Sequence, residues 1–154
     1  MKENLRKSAL RYMESVKIMT LATSDKSIPW ASVLFYAFDK QFNIYFLSRH
    51  FRRHSIEISK NPRVAGTIVK PQGTFNAPNT GIQFEGSAKM LDGKELEFAY
   101  KIFMDRYPSA KKTAASAGVL GAGEVRMYKI KPHRLILQDQ KRFPKEQRAT
   151  VLER

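Results

Sequence analysis

The sequence predicts a mainly β fold, an antiparallel barrel with helices packed on its outside. Two observations carry this. About six apolar runs of strand length are joined by short turns. Strands and helices do not alternate in the βαβ rhythm that a doubly wound sheet needs. The chain has 154 residues, which suits one domain, with a basic tail after about residue 140.

Residues 3–16 form the first element, an amphipathic helix with Leu5, Ala9, Tyr12, Met13 and Val16 on one face. Lys17–Thr23 is a strand, Ser24–Ser27 a turn, and Pro29 falls outside the regular sheet. Ala31–Phe38 is a second strand with two apolar faces: Val33, Phe35 and Ala37 on one, Leu34, Tyr36 and Phe38 on the other. Such a strand is covered on both sides. The barrel interior supplies one cover, and a helix, a partner chain or a ligand the other. Asp39–Gln41 turns into Asn43–Ser48, a third strand.

Residues 50–60 read as a short helix with Phe51, Ser55 and Ile58 on one face, stopped by Asn61–Pro62. Val64–Val69 is a strand and Lys70–Thr80 a loop. Gly81–Leu91 alternates with period two, Ile82, Phe84, Gly86, Ala88 and Met90 against Gln83, Glu85, Ser87 and Lys89. A helix over Lys94–Arg106 turns Leu96, Ala99 and Phe103 inward. Arg106 suits the negative end of its own helix, or reaches a ligand. Residues 109–123 carry no pattern that places them. Val125–Ile130 and Arg134–Leu137 are two last strands parted by Lys131–Pro132, and the tail beyond Gln140 is charged and unpatterned.

The formal charge of +14 attracts anions. Cysteine is absent, which removes disulfides and thiolate metal sites and suits a reducing compartment. The charged start is unlike a secretory signal, and no run approaches the ~20 apolar residues of a membrane span, so a soluble, cytoplasmic protein is expected. Three histidines without a carboxylate pattern make a poor metal set. No nucleic-acid reader motif accompanies the basic residues, which argues against that partner.

The densest chemistry lies in Ser48-Arg49-His50-Phe51-Arg52-Arg53-His54-Ser55. Guanidinium forks, hydroxyls and a helix start are what a phosphate group needs. A solvated basic turn has the same composition.

The runs Leu21–Asp25, Pro29–Asp39, Ile44–Ser48, Arg52–His54, Asn61–Val64 and Phe84–Ala88, in this order and spacing, resemble the pyridoxamine 5′-phosphate oxidase-like split barrels that bind flavin mononucleotide (FMN). The resemblance covers roughly residues 8–137 and implies a six-stranded split barrel, a homodimer, and a flavin in each interface groove. It implies that Ser32, Val33, Leu34 and Phe35 run beside the isoalloxazine ring. It puts Leu47 and Ser48 at the ribityl and phosphate end, Arg53 and His54 on the phosphate with Arg52 assisting, and Gln83 or Gly81 near the polar ring edge. No catalytic side chain is implied. His54 stands where the family usually has lysine. Ile102 and Ala110 stand where the oxidases that grip pyridoxal phosphate have tyrosine and serine, although Arg106 matches, which speaks against vitamin B6 oxidation. The function expected is a flavin-dependent oxidoreductase of an unknown small molecule. A flavin carrier, or a barrel holding deazaflavin or haem, is the alternative.

Overall fold

A computed structural model describes residues 2–121 and 123–154. Its elements run α1 (Lys2–Ser15), β1 (Ile18–Asp25), β2 (Ile28–Phe35), β3 (Ala37–Phe38), β4 (Ile44–Arg49), α2 (Arg53–Lys60), β5 (Arg63–Ile68), β6 (Thr80–Met90), α3 (Gly93–Arg106), a 3-10 turn (Pro108–Ala110), α4 (Lys111–Ser116), β7 (Val125–Asp139) and β8 (Arg148–Glu153). The strands form one curled antiparallel sheet in the order β2-β1-β5-β6-β7-β4-β3, with β8 added beside β7. This is the split-barrel architecture, with eight strands where the sequence predicts six.

Three local effects account for the difference. The second predicted strand breaks at Tyr36. Its first part pairs with β1 and its last two residues with β4, so one stretch of chain serves both ends of the sheet. The two last predicted strands are instead one, β7. Pro132 is accommodated by a register shift in which Glu85 faces Arg134 and Gly86 faces Pro132. The tail forms β8, whose Leu152 and Val151 pack against the core. Pro29, expected outside the sheet, lies within β2, an edge strand where a missing N–H is tolerated.

The core fills the concave side of the sheet. Met19, Leu21, Ile44, Phe46, Ile68, Ile82, Phe84 and Ile130 meet Ala9 and Met13 of α1 and Ile58 of α2. A second cluster lies behind β4 and β7, where Tyr45 and Met127 pack on Ala99, Phe103 and Met104 of α3. α4 occupies part of the stretch without a sequence pattern and buries Ala114 there. α2 begins at Arg53, later than expected. Phe51 therefore precedes the helix and is exposed, while His54, Ser55, Glu57 and Ile58 form the buried face. Met90, expected inward, is also exposed, at the end of β6.

Arg106 does not serve its own helix end. Its Nη2 donates to the carbonyls of Met13 (3.1 Å), Glu14 (3.3 Å) and Val16 (2.8 Å), which closes the C-terminus of α1. Its Nη1 pairs with Glu14 Oε2 at 2.8 Å.

The bend at Pro132 depends on Gly86. A Cβ there would collide with the Lys131 carbonyl oxygen and come within 2.7 Å of Pro132 Cα. Gly86→Ala is expected to destabilise the fold by about 1–3 kcal/mol, as overpacking does. Urea unfolding of the two proteins checks this, and equal midpoints would show that the bulge has slack.

Candidate functional site

A groove of about 440 Å³ runs between β2, β4 and the end of α3. Val33, Leu34 and Phe35 form one wall, Leu47 the floor, and Phe103, Tyr107, Ser109 and Ala110 the other wall. Tyr107 stands edge-on to Phe35, with ring centroids 5.8 Å apart, and lies 4.8 Å from Phe103. Its hydroxyl donates to the Tyr36 carbonyl at 2.5 Å. Burial raises its pKa, so it remains a neutral phenol.

The backbone of β2 gives this apolar groove its polar edge. Lys26 and Ser27 both have positive φ and close a two-residue hairpin, so Asp25 and Ile28 are a hydrogen-bonded pair. Antiparallel pairing alternates from there. Residues 30, 32 and 34 turn their N–H and C=O groups toward β1, and Tyr36 N–H reaches Lys17 O at 3.3 Å in the same phase. The N–H and C=O groups of Ala31, Val33 and Phe35 point away from β1, to an edge where no described strand pairs. Val33 and Phe35 of this edge line the groove together with Leu47 of β4.

A polar cluster sits on the barrel side of the same seam. His54 is buried, with Ser32 Oγ 3.1 Å from Nδ1 and Ser48 Oγ 2.7 Å from Nε2. Ser55 donates to Ser48 at 3.2 Å. Burial and then the Arg52 charge push the His54 pKa below its usual 6.5, with Glu57 opposing, so the ring is neutral at neutral pH. Two buried atoms on β7, Arg126 Nε and the Tyr128 hydroxyl, lack a hydrogen-bond partner among the described residues. Arg126 faces Ser48 across the β4–β7 ladder.

The three arginines of the basic turn have separate surroundings. Arg53 donates to Glu57 Oε1 at 2.8 Å and stacks on Trp30 at 4.3 Å. Glu57 is buried and also accepts from Thr23 at 2.5 Å. Burial lifts its pKa, but hydrogen bonds from Arg53 and Thr23 outweigh that and hold it below the ordinary value. Arg49 lies 3.8 Å from Glu124. Arg52 is the exposed N-cap of α2, and its side chain does not cap the amides of that first turn.

The sequence-predicted residues thus divide. Val33, Leu34, Phe35 and Leu47 meet in the groove. Ser32, Ser48 and His54 meet in the polar cluster, with Arg52 beside it and Arg53 held by Glu57. Gln83 is exposed on β6, separated from β2 by β1 and β5. Three strand spacings put it roughly 14 Å from β2. Sequence reasoning missed Tyr107, Arg126 and Tyr128. The signal for Arg126 was its alternation with Tyr128 and Ile130, which sets a cation on the inward face of a strand. Among the described residues no group of three His, Asp or Glu side chains could hold a metal. No described helix is long and apolar enough to cross a membrane.

The family model described as pyridoxamine 5′-phosphate oxidase matches residues 5–139. A relative from Yersinia pseudotuberculosis, named UPF0306 protein, is 30% identical over 118 residues, 76% of this chain and 80% of its own. Two solved structures share the fold. A conserved hypothetical protein from Mycobacterium tuberculosis is 18% identical with a TM-score of 0.71, over 90% of this chain and 86% of that one. HutZ, a haem storage protein from Vibrio cholerae, is 16% identical with a TM-score of 0.68, over 84% and 91%.

The depressed pKa of His54 sets the sign of a pH effect. Below about pH 6.5 the unfolded chain takes up a proton that the folded chain refuses, so stability falls on acidification and levels off below the folded pKa. Above that range His54 contributes no slope. The limit for one site is about 1.4 kcal/mol per pH unit. Melting temperatures of the native protein and of His54→Asn, compared between about pH 7.5 and 5.5, are expected to converge as the pH drops. Parallel curves would mean that His54 titrates as it does in water.

Proposed function

We propose that this chain, which belongs to the pyridoxamine 5′-phosphate oxidase family, pairs with a second copy, binds FMN in the β2–β4 groove and acts as a flavin-dependent oxidoreductase on a small molecule. The observation that carries this is the unpaired backbone edge of Val33 and Phe35 along an apolar slot. A flavin ring needs this combination, because its faces are apolar and its pyrimidine edge alternates donors and acceptors. Bound there, the flavin supplies the hydride and electron chemistry, and the protein supplies orientation and electrostatics.

The residues at the far end fit a phosphoryl group. Ser48, the first-turn amides of α2 and the guanidinium of Arg52 would supply its donors. The unpartnered Tyr128 hydroxyl and Arg126 Nε are buried donors beside the same serines. His54, being neutral, offers at most one N–H. Arg53 joins only by leaving Glu57.

Pairing is supported by the outer sheet face. Val33 is 71% exposed, Phe35 56% and Ile18 43%. They adjoin the small side chains of Thr20, Ala22, Ala65 and Thr67 on a surface no described helix covers. Apolar area of this kind on a β face suits a second copy. Gln83 lies on that face and would approach the partner's ring rather than its own. Deazaflavin would use the same features.

A second reading, haem in place of flavin, draws on the likeness to HutZ. Its axial ligand would come from His50 or His133, because both ring nitrogens of His54 are engaged.

FMN added to the purified protein is expected to take on a perturbed flavin spectrum. Arg52→Ala should weaken binding at least about tenfold without lowering the melting temperature, since each charged hydrogen bond contributes roughly 1.5–3 kcal/mol. Arg53→Ala should instead lower the melting temperature, because Glu57 stays buried with one partner fewer. A colourless protein that ignores FMN would sink the flavin reading. A Soret band lost in His50→Ala or His133→Ala would favour haem.

A further inference from the structure

We infer that the molecule this groove accepts beside the flavin is an uncharged, planar ring compound, such as a quinone, and not a phosphate ester or carboxylate. The inference deepens the flavin reading and rests on it for the order of occupants. It rests on the groove itself for its chemistry.

Among the described residues of this chain, no charged side chain lines the groove. The walls are aromatic and aliphatic: Phe35, Leu47, Phe103 and Tyr107, closed by Ala110. The cation next to this wall, Arg106, is unavailable. Its Nε donates to the Tyr107 hydroxyl at 3.1 Å, Nη1 to Glu14 at 2.8 Å, and Nη2 to three carbonyls of α1, with the side chain only 9% exposed. Pulling it into the groove would uncap α1. Lys17 holds its ammonium 6.0 Å from the Tyr107 ring centroid and lies outside the lining, as do the exposed Lys111 and Lys112.

An anion in this slot would lose its hydration with no counter-charge to replace it. A flat neutral ring would gain contact with Phe35 and Tyr107 at little desolvation cost. The polar groups left to orient it are few. Tyr107 already donates to Tyr36 O. Ser109 on the 3-10 turn retains a hydroxyl that can donate to one ring carbonyl. One donor and several apolar contacts select for ring shape and against charge.

The test is calorimetric titration of menadione and of pyridoxamine 5′-phosphate into FMN-loaded and FMN-free protein. Menadione is expected to bind at least about tenfold more tightly in both forms. Ala110→Trp, which fills the slot, should weaken menadione by a similar factor. Ala110→Arg, which adds a cation to the wall, should strengthen pyridoxamine 5′-phosphate at least about tenfold. Equal binding of the two rings, no saturable binding of either, or no gain in Ala110→Arg would overturn the inference. Failure of FMN to bind while the ring preference persists would overturn the flavin reading and leave the groove's selectivity standing.

Discussion

Ser32 on β2 and Ser48 on β4 bond opposite nitrogens of one imidazole, that of His54. In the order of the sheet β2 is one end and β4 is next to the other, five steps away. Nothing in the ladder of backbone hydrogen bonds ties them together beyond the two-residue β3. A side chain from α2 thus bridges the seam, between the groove and the polar cluster. The apolar groove lies on one face of the seam and the polar cluster on the other. Since side chains alternate across a strand, Ser32 and Val33, like Leu47 and Ser48, face opposite ways from neighbouring positions. A single closure thus sets an apolar groove and a polar cluster on opposite faces of the seam.

The same closure leaves β2 as an open edge. Its odd-numbered residues present unpaired backbone groups, and Val33 and Phe35 expose apolar side chains beside them. Edges of this kind invite association, and most proteins blunt them with charge, proline or a covering element. Here Pro29 blunts only the start. Under the proposed reading a flavin and a second protomer would complete the remainder.

Much of this was legible in the sequence, for physical reasons that also mark where legibility stopped. The alternation over Gly81–Leu91 marks β6 because one face is core and the other open. The doubly apolar run Ala31–Phe38 gave both the strand and its need for a second cover. The strand's break at Tyr36 was hidden, since a chain that changes partners keeps its pattern. β8 was hidden because none of its side chains is fully buried. The continuity of β7 was hidden by Pro132, whose tolerance depends on Gly86 across the ladder, 46 residues earlier in the chain. At the site, Leu47 and Val33 could be found from apolarity. The role of His54 depends on hydroxyls 22 and 6 residues away, and no local signal announces them.

Charge shows the same limit from another side. With 28 lysines and arginines against 14 acids, cations gathered in one turn suggest an anion site. Yet the carboxylates are placed so as to divide that turn. Glu57 is buried and holds Arg53, and Glu124 faces Arg49; outside the turn, Glu14 with the α1 carbonyls holds Arg106. Arg52 alone of the three arginines in the turn keeps an open fork. Selectivity follows from which cations are already engaged, not from how many there are. In the proposed site the phosphoryl end would draw on Arg52 and buried donors, while the described lining of the groove carries no charge. For the proposed FMN, anionic at one end and flat and neutral at the other, the open Arg52 fork and the uncharged groove offer one partner each. A co-substrate confined to the ring end would meet only its neutral half.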